Sequence, residues 1–145
     1  MSENLRPYPE PDGETKPFWD GIAAGRLRLQ RCRSCARYVF YPRSICPHCM
    51  SAELEWVDAA GAGVVHSYTV VHRAAPGFAE DAPYVVALVE LVEGVRMLTR
   101  LLGVSPQDAR VGMSVRVAIE GDPALPYFRP PHEISDFAGT PDKKE

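Results

Sequence analysis

A mainly β chain is what three features of this 145-residue sequence predict. Two Cys-x-x-Cys pairs stand ten residues apart between strand-like runs. The second half is a succession of β-branched and aromatic segments divided by Gly and Pro turn signals, and one short stretch near the start repeats its apolar residues at helical spacing. The implied order is a short N-terminal helix, a metal-binding ribbon and a small five-stranded barrel.

Residues 1–14 read as an extended arm, because Pro7, Pro9 and Pro11 oppose both helix and central strand. The arm is polar and acidic, unlike a secretory signal or a basic transit peptide, so a cytoplasmic chain with reduced thiols is expected. Thr15 offers an N-cap and Pro17 a first-turn proline, and Phe18, Trp19, Ile22 and Ala23 follow at helical spacing until Gly25. Arm and helix take residues 1–26. Phe18 and Trp19 either pack on the ribbon or form a docking face for a partner, since a helix this short needs something to lie against.

Residues 27–59 carry the ribbon. Leu27–Arg31, Tyr38–Tyr41 and Leu54–Val57 read as strands around Cys32-Arg33-Ser34-Cys35 and Cys46-Pro47-His48-Cys49. Two-residue spacers let both thiolates of a pair face one ion, and Cys32, Cys35, Cys46 and Cys49 together make a closed tetrahedral site that suits zinc. Iron fits the same S₄ cage, with zinc the expected cofactor. Two disulfides would need an oxidising compartment, and a redox pair would need a helix start in a βαβ unit. A closed site contributes folding energy and leaves no position for a substrate.

Charge is unevenly placed on a chain of net charge −3. Residues 21–52 hold Arg26, Arg28, Arg31, Arg33, Arg37 and Arg43 and no acidic residue, a local +6 against −9 for the remainder. These arginines either balance the thiolates on the metal or meet a negatively charged partner.

Residues 60–130 alternate as strands. In Val64–Arg73 simple alternation puts Val65, Ser67, Thr69 and Val71 on one face and His66, Tyr68, Val70 and His72 on the other. A loop from Ala74 to Pro83 precedes an apolar strand, Tyr84–Leu91, and Glu93-Gly94 turns into Val95–Leu102. Ser105–Asp108 resembles a one-turn helix start. Met113, Val115, Val117 and Ile119 face inward along the next strand, and Leu125–Arg129 forms the last. Four or five antiparallel strands in this span fit a five-stranded Greek-key barrel such as the OB-fold, and a small sandwich would show similar alternation. Residues 131–145 lose periodicity and are expected to form a flexible tail. The longest apolar run, Tyr84–Leu91, is far below the roughly 18 residues of a membrane span.

Catalysis by this chain alone is not indicated. The cysteines are committed to metal and no Gly-x-Ser-x-Gly elbow occurs. His66 and His72, six apart on one strand and so about 20 Å apart, cannot share an ion, and His48 is expected at the surface of its knuckle.

The ordered set Phe18-Trp19-Asp20, Gly25-Arg26-Leu27, Gln30-Arg31-Cys32-Arg33-Ser34-Cys35, Tyr41-Pro42-Arg43, Cys46-Pro47-His48-Cys49, Gly63 to Thr69 and Pro83-Tyr84-Val85 resembles an acyl-CoA-associated family that joins a rubredoxin-like zinc ribbon to an OB-fold. The likeness covers about residues 15–130. It implies a non-catalytic partner of thiolase-fold enzymes, or of hot-dog-fold hydratases, similar in some bacteria to the partner domain of the aldolase that shortens steroid side chains. The thiolase-like or hydratase-like partner would carry the catalytic residues and this chain would help hold the acyl-CoA. Arg37 and Arg43 suit the phosphates of CoA, an aromatic such as Tyr68, Tyr84 or Phe128 its adenine, and Phe78, with Val70 and the rim residue His72, the acyl end. The chain departs from the family in having Ala36 and Met50, not glycine, directly after the second cysteine of each pair, which disfavours rubredoxin-type iron more than zinc. A second reading, a single-stranded nucleic-acid binder, uses the same two modules, but the acidic barrel and a pI near 5.8 weigh against it.

Overall fold

The computed structural model describes residues 6–131, so residues 1–5 of the arm and all but the first residue of the expected tail lie outside the described residues. One helix, α1 (Lys16–Ala23), precedes a three-stranded sheet of order β2-β1-β3, built from β1 (Arg28–Cys32), β2 (Tyr38–Val39) and β3 (Leu54–Asp58). Five further strands, β4 (Ala62–Val71), β5 (Tyr84–Leu91), β6 (Arg96–Leu101), β7 (Ser114–Glu120) and β8 (Leu125–Arg129), close a barrel in the order β4-β5-β6-β8-β7. All its pairings are antiparallel except β6 with β8, which meet in parallel at Leu101 and Phe128. That is the OB-fold topology expected from the strand count.

The helix starts where expected but through a different side chain. Thr15 makes no capping bond to the first turn. Asp12 fixes the entry instead: its Oδ1 accepts from the amides of Glu14 and Thr15 and from the Thr15 hydroxyl. Those bonds, the Thr15 amide foremost, hold the Asp12 carboxyl below its ordinary range. At the far end Gly25 adopts φ +80° and the Arg26 amide reaches back to the Gly21 carbonyl, which stops the helix.

Alternation holds along β5, where Val85, Ala87, Val89 and Leu91 are buried, and along β7, where Val115 is buried and Met113, Val117 and Ile119 pack beside the core. It fails in β4. A bulge between Val65 and Ser67 adds one residue, His66, so the phase slips and both Val65 and Val70 pack toward the core. Ser105–Asp108 is a turn, closed by the Asp108 amide on the Ser105 carbonyl, and not a helix start.

Phe18 and Ile22 of the helix and Leu27 and Leu29 of the ribbon belong to the same buried cluster as Val65, Val89, Leu101 and Phe128 of the barrel. The core therefore runs across the Ala60–Gly63 junction. A smaller cluster of Cys32, Val39 and Cys46 lies at the knuckles. Among the described residues no helix is long and apolar enough to cross a membrane.

Candidate metal centre and the surfaces around it

Each knuckle is built by the same backbone bonds. The Ala36 amide donates to the Cys32 carbonyl and the Met50 amide to the Cys46 carbonyl, both at 2.8 Å. The Cys35 amide points at Cys32 Sγ (3.4 Å) and the His48 amide at Cys46 Sγ (3.3 Å). These turns put all four sulfurs within 4.8 Å of one another, with Cys32 to Cys49 at 3.6 Å and Cys35 to Cys46 at 3.7 Å. A regular tetrahedron with metal–sulfur bonds of about 2.3 Å has edges of about 3.8 Å, so the cage fits one tetrahedral dication.

Charge makes the same point. The Cys35 amide chiefly holds the Cys32 thiol down to about 7. Cys49 receives the Ser51 amide, yet desolvation and the thiols of Cys32, Cys35 and Cys46 push it up to about 11. Four sulfurs this close cannot all ionise without a cation between them.

The two departures from glycine have a geometric reading. Ala36 (φ +69°) and Met50 (φ +68°) both adopt the left-handed conformation that the knuckle demands. The turn is kept with side chains that disfavour it.

The basic lobe is partly neutralised from outside its own stretch. Arg26 and Arg28 both reach Asp58 and Arg33 reaches Glu53. Arg31 lies over the Tyr38 ring. Arg37 donates to His48 Nδ1 at 3.2 Å, and neither Arg37 nor Arg43 has an ion-pair partner among the described residues.

The remaining candidates fall into separate places. Arg37 and His48 line a cleft of about 590 Å³ between the ribbon, at Tyr38 and Phe40, and the β5–β6 turn, at Glu93 and Arg96. Arg43 is exposed, its backbone amide and carbonyl both bonded by the Gln30 side chain. Tyr68 and His72 are exposed on and just beyond β4. Tyr84 opens β5, about 24 Å along that strand from the Arg37 cleft, and Phe78 lies in the loop before it. Both rings are already engaged: Arg6 lies 4.8 Å from the Phe78 centroid and Arg100 4.3 Å from that of Tyr84. Arg6 and Arg100 also converge on Asp81, and Arg100 most of all holds that carboxyl below its ordinary range. Phe128 is fully buried and cannot stack on a ligand.

Phe18 is likewise a correction. It is 1 % exposed, with Trp19, Phe40 and Tyr41 around its ring, and so has no surface for a partner. Trp19 is half-buried and lines a groove of about 260 Å³ with Pro9, Pro11, Ala23 and Leu125. Spacing could not have revealed Glu93 and Arg96 in one cleft with Arg37, or Arg6 on Asp81, because only the fold brings those residues together.

Family models match both halves of this architecture. Residues 19–55 match the ChsH2 rubredoxin-like zinc ribbon domain and residues 56–120 the ChsH2 C-terminal OB-fold domain. A DUF35 domain-containing scaffold protein of Methanocaldococcus jannaschii is 39% identical over 63% of this chain and 70% of its own length. The chain belongs to the ChsH2 (DUF35) family. Within that family a chain of the solved Ltp2-ChsH2(DUF35) aldolase superposes with a TM-score of 0.77 at 41% identity, covering 85% of this chain and 98% of that one. A probable enoyl-CoA hydratase alpha subunit of Thermomonospora curvata is 43% identical over 87% of this chain. The ChsH2-like region spans 40% of that subunit's length.

Proposed function

We propose that this chain is a zinc-bearing, non-catalytic accessory subunit in the cytoplasm that docks on a thiolase-fold enzyme of acyl transfer or retro-aldol chemistry and helps hold its acyl-CoA substrate. The observation that carries the reading is the correspondence with 98% of a chain in an aldolase at 41% identity. Two chemical facts agree with it. A Cys₄ cage leaves its metal no open position, so it cannot polarise a carbonyl. Arg37 makes no ion pair among the described residues, and its bond to His48 engages one nitrogen and leaves the rest of the guanidinium for a phosphate.

Within this reading Arg37 and Arg43 meet the phosphates of CoA, Tyr68 or Tyr84 its adenine, and Phe78, with the rim residue His72, the acyl end. A short docking contact is assigned to Trp19, whose ring is still partly open. Steroid side-chain shortening is the assigned setting, by likeness to the aldolase.

The test is turnover of a CoA ester by the chain alone, by its thiolase-fold partner alone and by the two together. Activity should need the partner and rise with this chain present, and Arg37→Ala should raise KM with little change in kcat. Turnover by the pure chain would overturn the proposal.

A further inference from the structure

The strand β4 presents an open edge. It pairs with β7 only from Ala62 to Val64, and Val65 then bonds Met113 and Gly112. No strand pairs with that side of β4 from Ser67 to Val71 among the described residues. The other side stays on β5 throughout.

Which groups face outward follows from the ladder. The N–H and C=O of Val65 point away from β5. After the bulge at His66, Ser67, Thr69 and Val71 turn theirs to β5, opposite Leu88, Val86 and Tyr84, so those of Tyr68 and Val70 point outward. Ser67, Tyr68 and Thr69 are exposed. Natural edges are guarded by charge, proline or a bulge, yet Ser67-Tyr68-Thr69-Val70-Val71 contains no charged residue and no proline, and the bulge precedes the open part. A row of unpaired donors and acceptors between β-prone side chains is chemically the complement of another extended backbone.

The charges at its ends select the occupant. His72 and Arg73 follow the edge, and Arg110, on the turn that bonds Val65, stands at its beginning. Neither Arg73 nor Arg110 has an ion-pair partner among the described residues. Asp81 is held by Arg6 and Arg100, and Asp108, two residues before Arg110, accepts from the Ser105 hydroxyl. Antiparallel pairing with a second copy about Thr69 would bring Arg73 of one copy to Val65, and hence Arg110, of the other. That sets cation against cation.

We propose that the open edge of β4, Ser67 to Val71, receives an extended strand of the partner enzyme that is uncharged in its middle and acidic at its ends. The partner's identity rests on the accessory reading above; the edge does not. This strand would add a sixth to the barrel sheet, bonded at Tyr68 and Val70 and flanked by Arg73 and Arg110.

Two measurements test it. In the free chain the amides of Tyr68 and Val70 should exchange with solvent freely, and in the co-purified complex they should slow by about 100-fold or more. A complex that forms without slowing them overturns the inference. Separately, an end-capped heptapeptide of alternating valine and threonine with glutamate at both ends should shift the Tyr68 and Val70 resonances at millimolar concentration, and its lysine-ended counterpart should not. The double variant Arg73→Glu with Arg110→Glu should reverse that preference, a result that a merely unfolded variant cannot give. Val70→Pro removes an outward amide without touching the β5 ladder and should abolish both effects. If no thiolase-fold partner binds, the accessory reading fails and the peptide result alone decides the edge. No shift with either peptide, or protection of the same amides in a homodimer, overturns it.

Discussion

Replacing Ala36 and Met50 by glycine should stabilise this protein. Both residues hold φ close to +70°. A left-handed L-residue costs roughly 1–2 kcal/mol, of which the greater freedom of glycine in the unfolded chain returns about 0.4–1 kcal/mol to the unfolded side. The net gain is about 0.5–1 kcal/mol for each change. Little packing is forfeited, since Ala36 is exposed and Met50 is 73 % exposed. The two sites lie on separate knuckles, so the double variant should gain about 1–2 kcal/mol. For a domain of this size that corresponds to a rise in Tm of about 3–6 °C. Calorimetry of the metal-loaded wild type, Ala36→Gly, Met50→Gly and the double variant measures it, with metal content checked in each. A fall in Tm for both single variants at full metal occupancy would refute the assignment of strain to these positions.

Other outcomes follow from the same contacts. Chelation at neutral pH, or Cys46→Ser, should remove the metal and with it much of the ribbon's folding energy, read as loss of one equivalent of zinc and a lower Tm. Phe18→Ala should cost about 3–5 kcal/mol because the ring is fully buried, whereas Trp19→Ala, half-buried at a groove, should cost less and weaken partner binding instead. Asp81→Asn removes the carboxylate that Arg100 and Arg6 share and should cost about 1–2 kcal/mol at neutral pH. Asp81 has its folded pKa lowered, so its contribution is present above the ordinary aspartate pKa and fades as pH falls through the lowered value. Denaturant midpoints of the two proteins should therefore converge in acid.

Local periodicity carried much of the architecture. Helical spacing at Phe18, Trp19 and Ile22, paired cysteines on two-residue spacers, and unbroken alternation in β5 and β7 each depend on neighbours along the chain. What the sequence hid is set by local departures from regular geometry and by contacts between distant residues. Nothing at His66 marks a bulge, since that residue is not glycine, and its one-residue slip reassigned Val70. The helix entry is set one step upstream of its expected cap, where the Asp12 side chain binds the amides of Glu14 and Thr15 and the Thr15 hydroxyl. The apparent surplus of arginine shrank because Glu53 and Asp58, just beyond the acid-free stretch, fold back onto it. Arg6 and Asp81 meet across 75 residues, a pairing that no local pattern encodes. The six proposed acyl-CoA residues shared chemistry in the sequence but not one location, since β5 separates the Arg37 cleft from Phe78 and Tyr84.

The most direct test of the accessory assignment is native mass spectrometry of the chain purified with its untagged partners from its own cells. The expected result is a defined complex of this chain with a thiolase-fold enzyme, one zinc for each copy, and CoA-ester turnover confined to fractions that hold both. A chain that runs alone, binds oligonucleotides with steep salt dependence and binds no CoA ester would contradict it.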